Sequence, residues 1–405
     1  LQKNKAYAQV LEYLKDHPAD SGIIYCQSRK TTEAVSKKLN DHGIRSRPYH
    51  AGLGAGERTK NQDLFLRDEA RVVCATVAFG MGIHKPNVRF VIHYDLPKNI
   101  EGYYQETGRA GRDGLPAECV LLFGAGDTVK YSLFIEQKSD PKEQELAREQ
   151  LRQIVHYAEN SACRRVTLLE YFGEKFDAKE CGACDNCLSP REKFDGTIAA
   201  QKFLSCVFRI KEKSGFSVGL NHVVEVLTAA ATEKIKKWHH DELSTYGIGK
   251  EYGRPAWLQI GRELVRLGLL TQRAEKFSVL ELTAEGRLVL AENGPVSLTE
   301  PLVPAAGSSS VPRPSQPRSQ RGEIGCDETL FERLRQLRKR LADERNVPAY
   351  IVFSDVSLRQ MARDLPKDKR EFRNISGVGE KKLEDLGDIF LSEIAEYASY
   401  HNPPQ

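Results

Sequence analysis

The run Cys181-Gly-Ala-Cys184-Asp-Asn-Cys187, with Cys163 eighteen positions upstream, constrains this chain more than any other stretch. Three closely spaced thiols plus one upstream thiol can close a tetrahedral site around one ion. Zn²⁺ suits such a soft four-sulfur set, with Zn–S bonds near ~2.3 Å. An iron–sulfur run of this kind expects its fourth cysteine where Arg191 stands, so that pattern fails. Four reduced structural thiols are the remaining reading. A Cys₄ set leaves no open coordination position, so its expected role is structural. The other cysteines, Cys26, Cys74, Cys119, Cys206 and Cys326, read as small core or surface residues. Nine cysteines without framework spacing argue for a reducing compartment.

Upstream of this cluster the pattern changes from cysteine spacing to alternation. Apolar runs at Gly22–Cys26, Arg45–Tyr49, Val72–Ala75, Phe90–Tyr94 and Cys119–Phe123 alternate with helical patterns at about 3–17, 29–42, 55–69 and 99–107. Several runs are continuously apolar, as strands covered on both faces are. The rhythm predicts a parallel sheet with helices on both sides and with chemistry on the loops after the strands. Residues 142–187 read as helical. Residues 196–295 read as short helices followed by an apolar hairpin over Leu269–Leu282, with Ala274–Phe277 at its tip. Residues 296–325 carry Pro301, Pro304, Pro312, Pro314 and Pro317 with Ser308-Ser309-Ser310, a linker composition whose r.m.s. span is about 30 Å. Residues 326–400 read as an all-helical unit.

Charged residues make up 29% of the chain and hydrophobic residues 40%, which excludes wholesale disorder. No stretch approaches the ~20 apolar residues of a membrane helix. The net charge is +4 and is spread thinly, at +4 over 1–130, +2 over 131–322 and −2 over 323–405. Nucleic-acid binding would therefore depend on local placement of cations. The chain opens Leu1-Gln2-Lys3, which reads as a piece of a longer soluble protein.

The sharpest chemical signal is Gln105-Glu-Thr-Gly108-Arg109-Ala-Gly111-Arg112-Asp113-Gly114. Two arginines three apart, each preceded by glycine, place two planar, permanently charged groups on one side of a short turn, a shape suited to phosphoryl oxygens. Alone, the motif reads equally as a surface turn whose arginines pair with Asp113 and Glu106. Its context is Val72-Val-Cys-Ala75-Thr76 leading into Phe79-Gly80-Met-Gly82-Ile-His84-Lys85-Pro86, together with Gly22–Arg29 and Tyr49-His50-Ala51-Gly52-Leu53. These segments have the order and spacing of motifs IV, V and VI of superfamily 2 helicases. More narrowly, the chain closely resembles bacterial RecQ DNA helicases from residue 1 to about 400. The resemblance includes the Cys163-Arg-Arg and CGACDNC signature, His240-Asp-Glu-Leu-Ser-Thr-Tyr-Gly-Ile-Gly249, Val347-Pro-Ala-Tyr350 and Ile375-Ser-Gly-Val-Gly379-Glu-Lys-Lys382.

The resemblance implies a multidomain chain. Residues 1–130 would be the second RecA-like lobe, an α/β unit with a parallel sheet, and 131–195 a helical Cys₄ zinc module. Residues 196–295 would be a winged helix, 296–325 a flexible linker, and 326–400 an all-α HRDC bundle. It implies an ATP-dependent 3′→5′ DNA helicase of recombination and repair, acting on single-stranded and forked DNA. The expected setting is the cytoplasm of a bacterium, with no membrane attachment, as a monomer with single-strand-binding protein as a partner. ATP and Mg²⁺ would need a P-loop lobe that this chain lacks, so the chain alone is expected to be inactive as an ATPase. Asp68-Glu-Ala-Arg71 falls in a polar turn and does not serve as an acidic Mg²⁺ box. The rival reading is an ATP-independent DNA-binding or annealing fragment.

By the same resemblance Arg112 is the arginine finger, and Arg109 and Gln105 sense the nucleotide or couple it to DNA, with Gly82 and His84 beside them. The family carries Asn or Asp where this chain has His84. Ser28, Arg29, His50 and Thr76 would meet single-stranded DNA, with capping and turn hydrogen bonds as the alternative. In the winged helix, Arg254 and Arg262 (and Arg266) would meet duplex phosphates, while Trp257, Ile260, Leu264 and Leu267 share a core-facing stripe. In the terminal unit, Lys381 and Lys382 flank the Gly377–Gly379 turn, and Tyr350 is either a base-stacking or a core tyrosine.

Overall fold

The computed structural model describes residues 3, 5–77, 79, 84–190, 192–273, 279–292, 294–300 and 324–401. Residues 301–323 of the expected 296–325 linker, the hairpin tip Ala274–Phe277 and Gly82 lie outside the described residues. The chain forms two compact units, one of Leu1–Lys130 with Pro317–Gln405 and one of Tyr131–Gln316.

The first 130 residues build an α/β lobe. Its strands are β1 (Ser21–Tyr25), β2 (Ser46–Tyr49), β3 (Val72–Ala75), β4 (Val88–His93) and β5 (Glu118–Leu121). They lie in the order β2-β3-β1-β4-β5, all parallel. Helices α1 (Ala6–Asp16), α2 (Arg29–Asp41), α3 (Ala55–Leu66), α4 (Ile100–Thr107) and α5 (Ala125–Glu136) accompany the strands. The central strands β1, β3 and β4 are buried along their whole length, as their unbroken apolar sequences require. Alternation by two then sorts their side chains. Ile24, Cys74 and Ile92 pack with Val10, Leu14 and Leu39 on one face, and Ile23, Val73 and Val91 pack with Phe65 and Phe79 on the other. Ser28 caps α2 by accepting from the Thr31 amide, and Asn99 caps α4 by accepting from the Gly102 amide.

The second unit opens with α6 (Pro141–Glu159), α7 (Arg164–Tyr171) and α8 (Asp185–Leu188), so residues 142–187 are three helices with irregular chain between them. There follow β6 (Lys193–Asp195), α9 (Thr197–Ser214), α10 (Leu220–Leu227), α11 (Glu233–Lys237), α12 (Arg254–Arg266), the antiparallel pair β7 (Leu270–Arg273) and β8 (Val279–Leu282), and α13 (Ala284–Glu292). Finally β9 (Ser297–Thr299) pairs with β6. Ser297–Thr299, which fall within the range read as linker, are therefore a strand. Val296 and Leu298 are buried in the core of this unit, which overrides the polar composition around them. On α12, Trp257, Ile260 and Leu264 are buried as expected, but Leu267 is 39% exposed. It caps the helix, and after the turn at Gly268 the chain sends Leu269 and Leu270 into the core instead.

Within this core the segment from His240 to Gly249 has a clear physical task. The Trp257 indole donates to the Gly249 carbonyl at 2.6 Å. His240 bridges Ser214 Oγ (2.8 Å) and His222 Nε2 (2.7 Å) through its two ring nitrogens. Burial and the neighbouring His222 hold the His240 pKa down to about 4, and burial also lowers that of His222. Asp241 opposes the shift at His240, and Lys213 and Lys234 reinforce it at His240 and His222 respectively. Unfolded histidine takes its proton near ~6.5. The unfolded chain thus binds protons first, and stability present above pH 6.5 is lost as pH falls toward 4. Thermal unfolding monitored at Trp257 is expected to shift several degrees lower between pH 7 and pH 5. His240→Gln should flatten that dependence; an unchanged pH slope in the variant would show that the histidine pair is not its source.

The terminal helices α14 (Glu328–Glu344), α15 (Ala349–Val352), α16 (Asp355–Asp364), α17 (Lys369–Phe372) and α18 (Glu380–His401) form an all-helical bundle. Its core includes Leu334, Phe353, Met361, Phe372 and Phe390. A buried Arg338–Asp355 pair at 2.7 Å crosses it. Arg67 donates to Asn346 Oδ1 (2.6 Å) and Arg335 to the Ala19 carbonyl (3.0 Å), so the bundle rests on the α/β lobe.

Candidate nucleotide and nucleic-acid site

The Gly108–Gly114 stretch continues α4 as a series of tight turns. The Gly111 amide donates to the Val88 carbonyl at 2.9 Å, which pins the turn to the start of β4. Gly111 has φ +64, and a β-carbon there would lie 2.9 Å from the Leu115 carbonyl oxygen, so both conformation and space require glycine. Arg89, buried at the start of β4, pairs with Asp113 and donates to the Pro116 carbonyl (3.2 Å), fixing the far end of the turn. Asp113 is thereby occupied by Arg89. Glu106 is likewise occupied, since it is buried against His93 at 2.7 Å. Arg112 is exposed; its Nε donates to the Gly108 carbonyl (3.2 Å) and its Nη1 meets His84 Nδ1 at 3.3 Å. Because arginine only donates, this His84 nitrogen carries no proton. The structure thus brings together His84 and Arg112, with half-buried Arg109 and exposed Gln105 on the same turn and helix.

A second group of candidates lies on loops following the strands. Ser28 is exposed and acts as the α2 cap, and Arg29 is exposed beside it. A β-carbon at Gly52 would lie 3.0 Å from the Arg29 side chain, so this glycine lets Arg29 lie across the loop after β2. His50 is only 2% exposed. Its Nδ1 accepts from the Gly52 amide (3.2 Å), so its Nε2 carries the proton and donates to Glu33 (2.9 Å). It shapes the loop and presents no face to a ligand. Thr76 is half-buried, with its amide on the Tyr49 carbonyl (3.1 Å). The carboxylate of Asp95, also buried, accepts from the Gln27 amide (3.0 Å) and from Lys3 (2.7 Å), and Lys3 reaches Asp127 at 2.9 Å. Sequence reasoning passed over Glu33 and Asp95 because their partners are distant along the chain.

The four cysteines converge as their spacing predicts. The Sγ atoms of Cys163, Cys181, Cys184 and Cys187 all lie within 4.8 Å of one another. Three of the separations are 3.3, 4.0 and 4.0 Å. A tetrahedron of ~2.3 Å bonds has edges of about 3.8 Å, so the set fits zinc. The Arg164 amide donates to Cys184 Sγ and the Cys181 amide to Cys163 Sγ. Burial pushes the Cys184 thiol up to about 12. At Cys163 burial is outweighed by amide donors from Val166 and Cys181, which bring it to about 7. The Arg164 guanidinium pairs with Asp185 at 3.0 Å.

Four family models match the chain in sequence: the helicase conserved C-terminal domain over residues 2–114, RecQ zinc-binding over 125–188, the RQC domain over 190–306 and the HRDC domain over 327–394. The chain belongs to the RecQ family. Proteins named ATP-dependent DNA helicase RecQ are similar to it along nearly its whole length. The one from Pasteurella multocida is 40% identical over 100% of this chain and 63% of its own length. Those from Haemophilus influenzae and Bacillus subtilis are 39% and 38% identical, over 98% and 96% of this chain and 62% of their own lengths. The chain thus spans about three-fifths of these curated relatives.

In this RecQ-family chain the winged-helix arginines divide. Arg254, at the start of α12, is 49% exposed and sits 3.2 Å from Glu225. Arg262 is committed elsewhere, donating to Glu159 at the end of α6 (2.7 Å). It braces the zinc module against α12, a role invisible in a local reading because its partner is 103 positions away. Arg266 pairs with Glu263 at 2.8 Å. In the terminal bundle Tyr350 is half-buried and Lys381 exposed, while Lys382 lies 5.1 Å over the Phe353 ring. Among the described residues no helix is long and apolar enough to cross a membrane.

Proposed function

We propose that this chain is the part of an ATP-dependent 3′→5′ DNA helicase that supplies the second motor lobe and the DNA-gripping modules. The motor site would be completed by a P-loop lobe carrying ATP and Mg²⁺. The observation that carries the reading is the turn that holds Arg112 exposed and Arg109 beside it while the acidic residues nearest in sequence, Asp113 and Glu106, are held by Arg89 and His93. A surface turn would have spent its arginines on those carboxylates. Arg112 is exposed at the tip of this turn, where a planar guanidinium suits phosphoryl oxygens. Gln105, His84 and Gly82 complete the nucleotide side. Ser28, Arg29 and Thr76 serve the tracking strand, with His50 positioning their loop. Arg254 serves the duplex, and Tyr350, Lys381 and Lys382 serve single-stranded DNA. Structural zinc on Cys163, Cys181, Cys184 and Cys187 holds the module of 131–195, and Arg262 passes its position on to the winged helix. The protein works as a monomer in the bacterial cytoplasm, on single-stranded and forked DNA coated in part by single-strand-binding protein.

The substrate half of this reading is testable on the 405-residue chain as it stands. Salt-matched titrations should show tighter binding to forked DNA than to an RNA fork of the same sequence. Arg254→Ala should weaken binding uniformly across sequences and reduce the salt slope by about one. Tighter binding to RNA would overturn the assignment to DNA.

A further inference from the structure

Asp95 follows the end of β4 and is 5% exposed. A buried carboxylate is costly unless the protein meets it with charge and hydrogen bonds, and here each oxygen has its own partner. Oδ2 accepts from the Gln27 amide at 3.0 Å, and Oδ1 accepts from Lys3 Nζ at 2.7 Å. Gln27 precedes Ser28 and Arg29 on the way from β1 into α2. The carboxylate therefore bridges that loop to the segment ahead of α1. Lys3 is itself fixed. Its amide donates to the Phe123 carbonyl (2.7 Å), its Nζ also donates to Asp127 Oδ1 (2.9 Å), and the ammonium lies 5.3 Å over the Tyr94 ring. Asp127, likewise 5% exposed, accepts from the Gly124 amide through its other oxygen (3.1 Å). Two buried carboxylates thus share the Lys3 ammonium, with half-exposed Lys130 standing 3.8 Å from Asp95. Burial works against the Lys3 charge, but the bonds to Asp95 and Asp127 outweigh it and hold its pKa above the ordinary lysine value.

We propose that Asp95 is a positioning residue that ties the loop carrying Ser28 and Arg29 to the segment through which the P-loop lobe joins, so that contact with the tracking strand and closure of the lobes move together. The inference rests on the function proposed above, in which Ser28 and Arg29 meet single-stranded DNA and the P-loop lobe precedes Lys3. Movement of Lys3 as the lobes close shifts the carboxylate, and the same carboxylate carries the Gln27 amide and the start of α2 with it. An ammonium–carboxylate bond is about twice as strong as a neutral one, which suits it to transmit a displacement rather than to yield.

Asp95→Asn keeps an acceptor for Gln27 but turns an amide donor toward Lys3, and Lys3→Met removes the bridge from the other side. In the polypeptide that includes a P-loop lobe, either change should cut the stimulation of ATP turnover by DNA about tenfold, the size of one lost hydrogen bond to a charged group. Turnover without DNA should hold. The double variant should be no worse than either single one, because both break the same link. Asp127→Asn is the control. It removes the other carboxylate from Lys3 and leaves the bridge, so stimulation should persist even where the melting temperature falls. In the 405-residue chain itself, Lys3→Met should quicken exchange of the Gln27 amide, whose bond is to Asp95, and Asp127→Asn should not. Should Asp95→Asn fold poorly, this exchange result decides by itself. Multiplicative losses in the double variant, an equal loss in Asp127→Asn, or unchanged Gln27 exchange in Lys3→Met would overturn the link. If Arg112→Ala left turnover intact, the motor reading beneath it would fail instead.

Discussion

Paired with a P-loop lobe, the Arg112→Ala variant is expected to hydrolyse ATP ~10³-fold or more slowly while its melting temperature stays within a degree or two of the parent. The rate loss follows from the size of an arginine-finger contribution, ~10³–10⁵, which comes from a fixed positive charge at the transferring phosphoryl group. The retained stability follows from the surroundings of Arg112. It is exposed, and the turn beneath it is secured independently of its side chain, by Gly111 on Val88 and by Arg89 on Asp113. Arg112→Lys should recover little, because a compact ammonium cannot reproduce the planar bidentate fork. The contact with His84 adds a directional expectation. It is worth little on an exposed surface, so nucleotide can draw Arg112 away from it. Turnover that survives Arg112→Ala undiminished would remove the helicase motor reading and leave the DNA-binding fragment in its place.

How much of this was legible beforehand depends on the range of the interaction that decides each residue. The five parallel strands were legible because unbroken apolar runs such as Ile23–Tyr25 and Val72–Ala75 have one stable use, and their ends differ from expectation by two residues at most. The Ser28 cap is a local event and was an open alternative in the sequence. The four thiols were legible because metal ligation ties spacing directly to geometry. His50 makes turn hydrogen bonds, the alternative the sequence left open for it, but its partner Glu33 was not legible because it lies seventeen positions earlier on another element. Arg262 looked like a free cation on a polar helix face because nothing near it in sequence announces Glu159. Leu267 fits the helical stripe by period, yet the helix ends one residue too soon to use it. Tyr25 closes a buried strand, and its hydroxyl donates to the Phe79 carbonyl (3.1 Å), a partner 54 positions away that no local reading offers.

Removal of zinc should dismantle one part of the second unit and spare the rest. Neither α7 nor α8 contains a buried residue, so residues 160–188 have little apolar core with which to offset the entropy of ordering them. What holds them in the protein alone is a set of polar contacts: Asn186 to the Asn160 and Ala162 carbonyls at 2.8 and 2.6 Å, and Arg164 to Asp185. Such contacts are worth about 1 kcal/mol each at best, whereas structural zinc supplies on the order of 10 kcal/mol near neutral pH. The purified chain should carry one zinc, and chelation or Cys184→Ser should release it. Amide protection should then vanish across 160–188 while the core around Trp257, Phe203 and Leu264 keeps its own, because that cluster is buried independently of the metal. Since α6 is tied to α12 through Glu159 and Arg262, forked-DNA affinity should fall along with the metal even though the winged-helix core persists. Metal-free chain with full protection over 160–188 would mean that the four thiols are packed side chains and that the module stands without an ion.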